Sequence, residues 1–144
     1  MPDADLNRWS QTMAPSLDDI EALAIAALES LPEPFRGLSA GVTCAVAEFA
    51  EDEVLEELGI ESPFDLMGLF QGIGMHEAGA VPATGQMPNH VVLYRRAILD
   101  YWAEHEETLG AVVSHVLIHE IGHHFGFSDD DMEALEAEAE AEGR

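Results

Sequence analysis

The sequence contains no lysine, and its five arginines face 29 acidic residues, giving a formal net charge of −24. Nucleic acid is bound mainly by clustered Lys and Arg on its phosphates, so it is excluded as an easy partner. Anionic membrane surfaces are disfavoured for the same reason. A single cysteine, Cys44, rules out an internal disulfide framework and a cysteine-built zinc finger. Its apolar neighbours read it as a small buried hydrophobe. No apolar run approaches the ~18 residues of a membrane span. The opening Met1-Pro2-Asp3-Ala4-Asp5 has no basic stretch followed by an apolar one. No secretory signal is expected, and the cytoplasm is the expected compartment. There is no G-x-S-x-G elbow for a serine nucleophile and no repeat of 20–50 residues.

What is present suits one domain. The chain has 144 residues, 47% of them apolar, enough for a core. Residues 1–15, with Pro2 and Pro15, read as a flexible N-terminal tail; 16–131 read as the domain and 132–144 as an acidic C-terminal helix or tail. Ser16 can cap a helix over 17–31, where Ile20, Leu23, Ala24, Ala27, Leu28 and Leu31 form one stripe. Residues 41–49 read as a strand buried on both faces. Residues 51–61 read as a short helix or ordered loop, Leu66 to Ile73 as a second strand and His90 to Arg95 as a third. The segment 74–88 is a loop rich in Gly and Pro. Residues 97–107 look helical. Thr108 opens a strongly apolar helix over 109–125 that Gly126 ends, and Asp129 to Glu142 reads as a last, acidic helix.

The chemistry lies in His119-Glu120-Ile121-Gly122-His123-His124-Phe125-Gly126-Phe127-Ser128-Asp129. His119 and His123 are four apart on a helix, so both imidazoles leave one face and can reach one ion. Zinc suits imidazole nitrogen with carboxylate oxygen. Glu120 follows the first ligand, where its carboxylate can take a proton from water activated by the metal. Gly126 can turn the chain back and bring Asp129 in as third ligand, leaving a fourth position open. In shuffled chains of this composition HExxH alone arises in roughly 4% of cases; adding the glycine and third ligand lowers this to on the order of one in a thousand. The pattern therefore carries weight.

HExxHxxGxxD on the last long helix, preceded by Leu93-Tyr94-Arg95-Arg96 and followed by a short acidic terminus, resembles the small bacterial zincin-like metallopeptidase family. The resemblance covers about residues 17–135. It includes Leu31-Pro32-Glu33-Pro34-Phe35-Arg36, Leu58-Gly59 and Leu69-Phe70-Gln71-Gly72. It implies an α+β, minimal zincin-like fold: a small mixed β-sheet packed against an active-site helix and an N-terminal helix. It also implies His119, His123 and Asp129 as ligands of one Zn2+ and Glu120 as the base. Larger metzincin peptidases usually carry a third His where this chain has Asp129, and a Met-containing turn well downstream. Met132 is too close in sequence to form that turn in the usual way, so the floor of the site must be built differently.

Other residues compete for roles. His115, one turn before His119, is an alternative ligand or a group that orients His119, since three ligands on consecutive turns do not easily meet on one ion. His124 points elsewhere. Asp130 and Asp131 are alternatives to Asp129. His76 and His90 flank the glycine-rich loop. Tyr94, Arg95 and Arg96 end the third strand, with Tyr94 and Arg96 on one face; one arginine could stabilise charge near the metal, and ion pairs with carboxylates are the simpler use. The expected function is zinc-dependent hydrolysis of a peptide or protein substrate, neutral or basic rather than acidic. The alternative is a non-catalytic zinc-binding interaction module. Fifteen of the 29 carboxylates fall in 48–61 and 129–142, which makes most of the charge a solubility feature.

Overall fold

In the computed structural model, residues 2–71 and 89–142 are described. The expected loop and His76 lie outside them. Helix α1 spans Pro2–Ser10, where the sequence suggested a loose tail. Proline at the first turn needs no donor and sets a helical φ, so Pro2 starts this helix rather than breaking it. Helix α2, Leu17–Glu29, begins with reciprocal caps. The Ser16 hydroxyl accepts from the Asp19 N–H at 3.0 Å, and Asp19 Oδ2 accepts from the Ser16 N–H at 2.8 Å. The short α3, Phe35–Leu38, drops Phe35 into the core.

Strand β1 is Thr43–Ala47, α4 is Asp52–Leu58 and a 3-10 turn covers Pro63–Asp65. Strands β2, Gly68–Gln71, and β3, His90–Tyr94, complete a sheet of order β1-β3-β2. β1 runs parallel to β3, and β2 antiparallel to it, with Phe70 opposite Val91. The sheet is thus mixed. Val91 and Leu93 of the central strand are fully buried, whereas β1 is only partly covered, because it lies at an edge of the sheet.

The chain passes from Tyr94 directly into α5, Arg95–Glu104. Arg95 and Arg96 therefore open a helix instead of alternating on a strand. Arg95 is taken up by Glu48, at 2.9 Å, and by the Pro15 carbonyl, at 2.6 Å; Arg96 lies over the Phe49 ring. Neither is drawn to the histidines by any of these contacts.

Helix α6, Leu109–His124, is capped by Thr108, whose hydroxyl accepts from the Ala111 N–H at 3.1 Å. It is apolar nearly all round, as a central helix must be. It packs on α2, α3, α5, β2 and α7, the last spanning Asp129–Glu142. Val113, Leu117 and Ile121 meet Ile20, Phe35 and Leu93 in one core. Each such side chain contributes roughly 1.5–3 kcal/mol when fully buried. The core grips the C-terminal half of α6, and that half carries His119 and His123.

Candidate metal centre

Ligand geometry follows from how α6 stops. Gly126 has φ of +93°, a backbone state open to glycine at little cost. The Phe127 N–H donates to the Gly122 carbonyl at 2.8 Å, and the Gly126 N–H to the His123 carbonyl at 3.1 Å. This paired closure is a Schellman turn. It reverses the chain, and Ser128 then caps α7 with Asp131: each backbone N–H donates to the other's side chain at 3.1 Å. Asp131 is thus committed to capping. Asp129, at the first turn of α7, faces back over α6.

The structure brings His119, His123 and Asp129 together. One ligand atom from each lies within 4.8 Å of the others. Asp129 Oδ1 is 2.7 Å from His123 Nε2 and 3.7 Å from His119 Nδ1. The His119 Nε2 atom is buried and has no hydrogen-bond partner. Two imidazoles, one of them with an unpartnered nitrogen, and a carboxylate are a donor set that fits a zinc-class cation. The His123 and Asp129 side chains are 52% and 68% exposed, so this set opens to solvent on one side. His119 is less basic than an ordinary histidine, chiefly because it is buried and next because His115 lies beside it. A neutral imidazole is the form that binds metal.

Glu120 stands where β2 meets α6. Burial is the main reason its carboxyl is pushed up to about 7; His123 and the Phe70 backbone N–H pull the other way. A cation in the adjacent set would favour the ionised form further. The close approach of β2 depends on Gly68: a Cβ there would come within 2.8 Å of Val116 and 3.4 Å of Glu120 Cγ.

Beneath His119 and His123 lies a contact that the sequence does not announce. Met132 is fully buried, although it begins the stretch read as an acidic tail. It fills a slot above Gly122, where a Cβ would come within 2.2 Å of its sulfur. Gly122 sits between the two ligand histidines in sequence, so Met132 braces the helix turn that carries them and anchors the helix that carries Asp129. It does so from one turn beyond Asp129, without a separate downstream turn. Tyr94, also buried, is made less acidic by burial first and then by the charges of Glu51 and Glu120.

Three further histidines lie around this set or in the sheet. His124 stacks on Phe70 with ring centroids 3.8 Å apart, away from the other histidines as its position on the helix predicts. His90 Nδ1 is 2.7 Å from the Thr43 hydroxyl and ties β1 to β3. His115 lies against His119, centroids 4.2 Å apart, and reaches Glu136 on α7 at 3.5 Å.

A small mixed sheet laid on a helix that presents HExxH, with a carboxylate returned from the next element, defines the zincin class of metallopeptidase-like domains. Residues 39–139 match the family described as zincin-like metallopeptidase, and the chain belongs to that family. Comparison with curated proteins gives no match.

Proposed function

We propose that the protein is a zinc-dependent peptidase in which His119, His123 and Asp129 hold the metal and Glu120 is the general base. The convergence of those three side chains beside a buried carboxylate, on a face open to water, is the observation that carries this reading. Zinc, when bound, polarises the scissile carbonyl and makes an attacking water more acidic. Glu120 accepts the proton of that water and returns it to the departing amine. A carboxyl whose burial makes it more basic is suited to taking a proton and giving it back near neutrality. The Phe70 N–H holds the carboxylate beside β2. That strand pairs only with β3 among the described residues, so an extended peptide can add along its other side. The excess of negative charge favours neutral or basic peptides over acidic ones.

A non-catalytic zinc module calls for a closed site with four protein ligands. The exposure of His123 and Asp129 favours the catalytic reading instead. Metal analysis and peptide hydrolysis test it together. His119→Ala should lose the zinc found in the parent protein. Glu120→Gln should keep that zinc and lose about 10²–10⁴-fold in turnover. Parental activity in Glu120→Gln would remove the glutamate from its role.

A further inference from the structure

Three histidines follow one another up α6 at intervals of one turn: His115, His119 and His123. They fall into two groups of candidate ligands. His119 and His123 meet Asp129; His115 and His119 meet Glu136, which α7 brings over two turns after Asp129. In this second group, too, a ligand atom from each residue lies within 4.8 Å of the others. His115 Nδ1 is 3.5 Å from Glu136 Oε2, a long contact that leaves both groups with bonding capacity.

Two stranded atoms mark this group. Among the described residues, the buried side-chain polar atoms with no partner are His119 Nε2, His124 Nε2 and Glu136 Oε1. Glu136 Oε1 belongs to this group alone, and His119 Nε2 to the histidine that both groups share. Buried polar atoms ordinarily find partners, and these two have none. Either a bridging water or a divalent cation satisfies both; two imidazoles and a carboxylate whose ligand atoms lie within 4.8 Å of one another favour the cation.

We propose that His115, His119 and Glu136 form a second cation position, one helical turn back from the His119–His123–Asp129 set. Imidazole and carboxylate donors select a zinc-class divalent ion there over calcium or magnesium. The two positions share His119, and a neutral imidazole has one lone pair to give. Occupancy is therefore alternative: an ion in one set withdraws His119 from the other. The position is a holding station beside the working one, and an ion parked in it takes a ligand from the catalytic set. The proposal depends on the functional reading above only through His119.

Cobalt(II) binding to the full-length protein, followed by equilibrium dialysis and by visible absorption, tests this. His123→Ala/Asp129→Ala removes the first set alone. It should still bind one Co2+ per chain, at least about tenfold more weakly than the parent. Adding His115→Ala/Glu136→Gln should reduce binding to the level of His119→Ala. Should the double variant not fold, Asp129→Ala carries the same test, its Co2+ being released by Glu136→Gln. Binding by His123→Ala/Asp129→Ala no better than by His119→Ala overturns the second position and leaves the first intact. If instead His115→Ala/Glu136→Gln in the parent background abolishes binding while His123→Ala/Asp129→Ala retains it, the second position stands and the first set is not the metal's home.

Discussion

Glu120 and Cys44 show how burial changes an ionisable group according to its surroundings. Glu120 lies beside His119, His123 and Asp129, and His123 opposes the effect of burial on its carboxyl. At Cys44, burial, followed by the charge of Glu21, pushes the thiol up to about 11. At pH 8 only about one part in a thousand is thiolate, the reactive form. Alkylation of the folded protein should therefore be slow at pH 8 and rise about tenfold per pH unit up to pH 10. Fast labelling at pH 7, read by mass spectrometry, contradicts this. The placement of His119, Glu120 and His123 was legible in the sequence because their spacing lies within one helix, where geometry follows from numbering. Asp129 was legible through Gly126, which announces the turn. Glu136 was not legible, since its approach to His115 depends on the angle at which α7 docks.

Among the elements, α7 matters most to the site. Met132 holds it in the slot over Gly122, so Gly122→Ala must push sulfur or helix aside. We expect a loss of about 1–3 kcal/mol in stability, with weaker zinc binding as Asp129 moves. Thermal melts and metal competition should show part of both losses restored in Gly122→Ala/Met132→Ala; no restoration would mean that the slot does not position Asp129. Helix α2 offers a local comparison. Ser16→Ala should cost about 1 kcal/mol through the lost cap. Its partner Asp19 is more acidic than usual because the Ser16 N–H and hydroxyl bond its charged form. A carboxyl with a lowered folded pKa stabilises above its unfolded pKa, and that contribution fades as pH falls below about 4. The difference between parent and Ser16→Ala in urea melts should shrink from pH 6 to pH 3. Helix periods and caps made α2 and α6 readable. Helix α1 was missed because Pro2 was weighed as a breaker, and the start of α5 because Tyr94-Arg95-Arg96 continues a β-like run across a boundary that only the fold draws.

For the whole molecule, charge is the dominant fact. An excess of 24 negative charges repels itself in the compact state, and salt screens this over a Debye length of ~10 Å at 0.1 M. The melting temperature should rise between 20 mM and 500 mM NaCl, and a fall would show that ion pairs such as Arg95–Glu48 outweigh the repulsion. The mixed sheet could not be ordered from sequence: β1 and β3 are far apart in the chain, and parallel pairing leaves no turn signature. Asp129 is the point where charge and helix meet. On the proposed function, a cation held by α6 and by the first turn of α7 would act as a clasp between them, binding only when the two helices are docked. At a thousandfold excess over its dissociation constant it adds about 4 kcal/mol to folding. On the proposed function, removing the metal would loosen the docking of α7 and open it to added protease, so metal would govern persistence as well as catalysis.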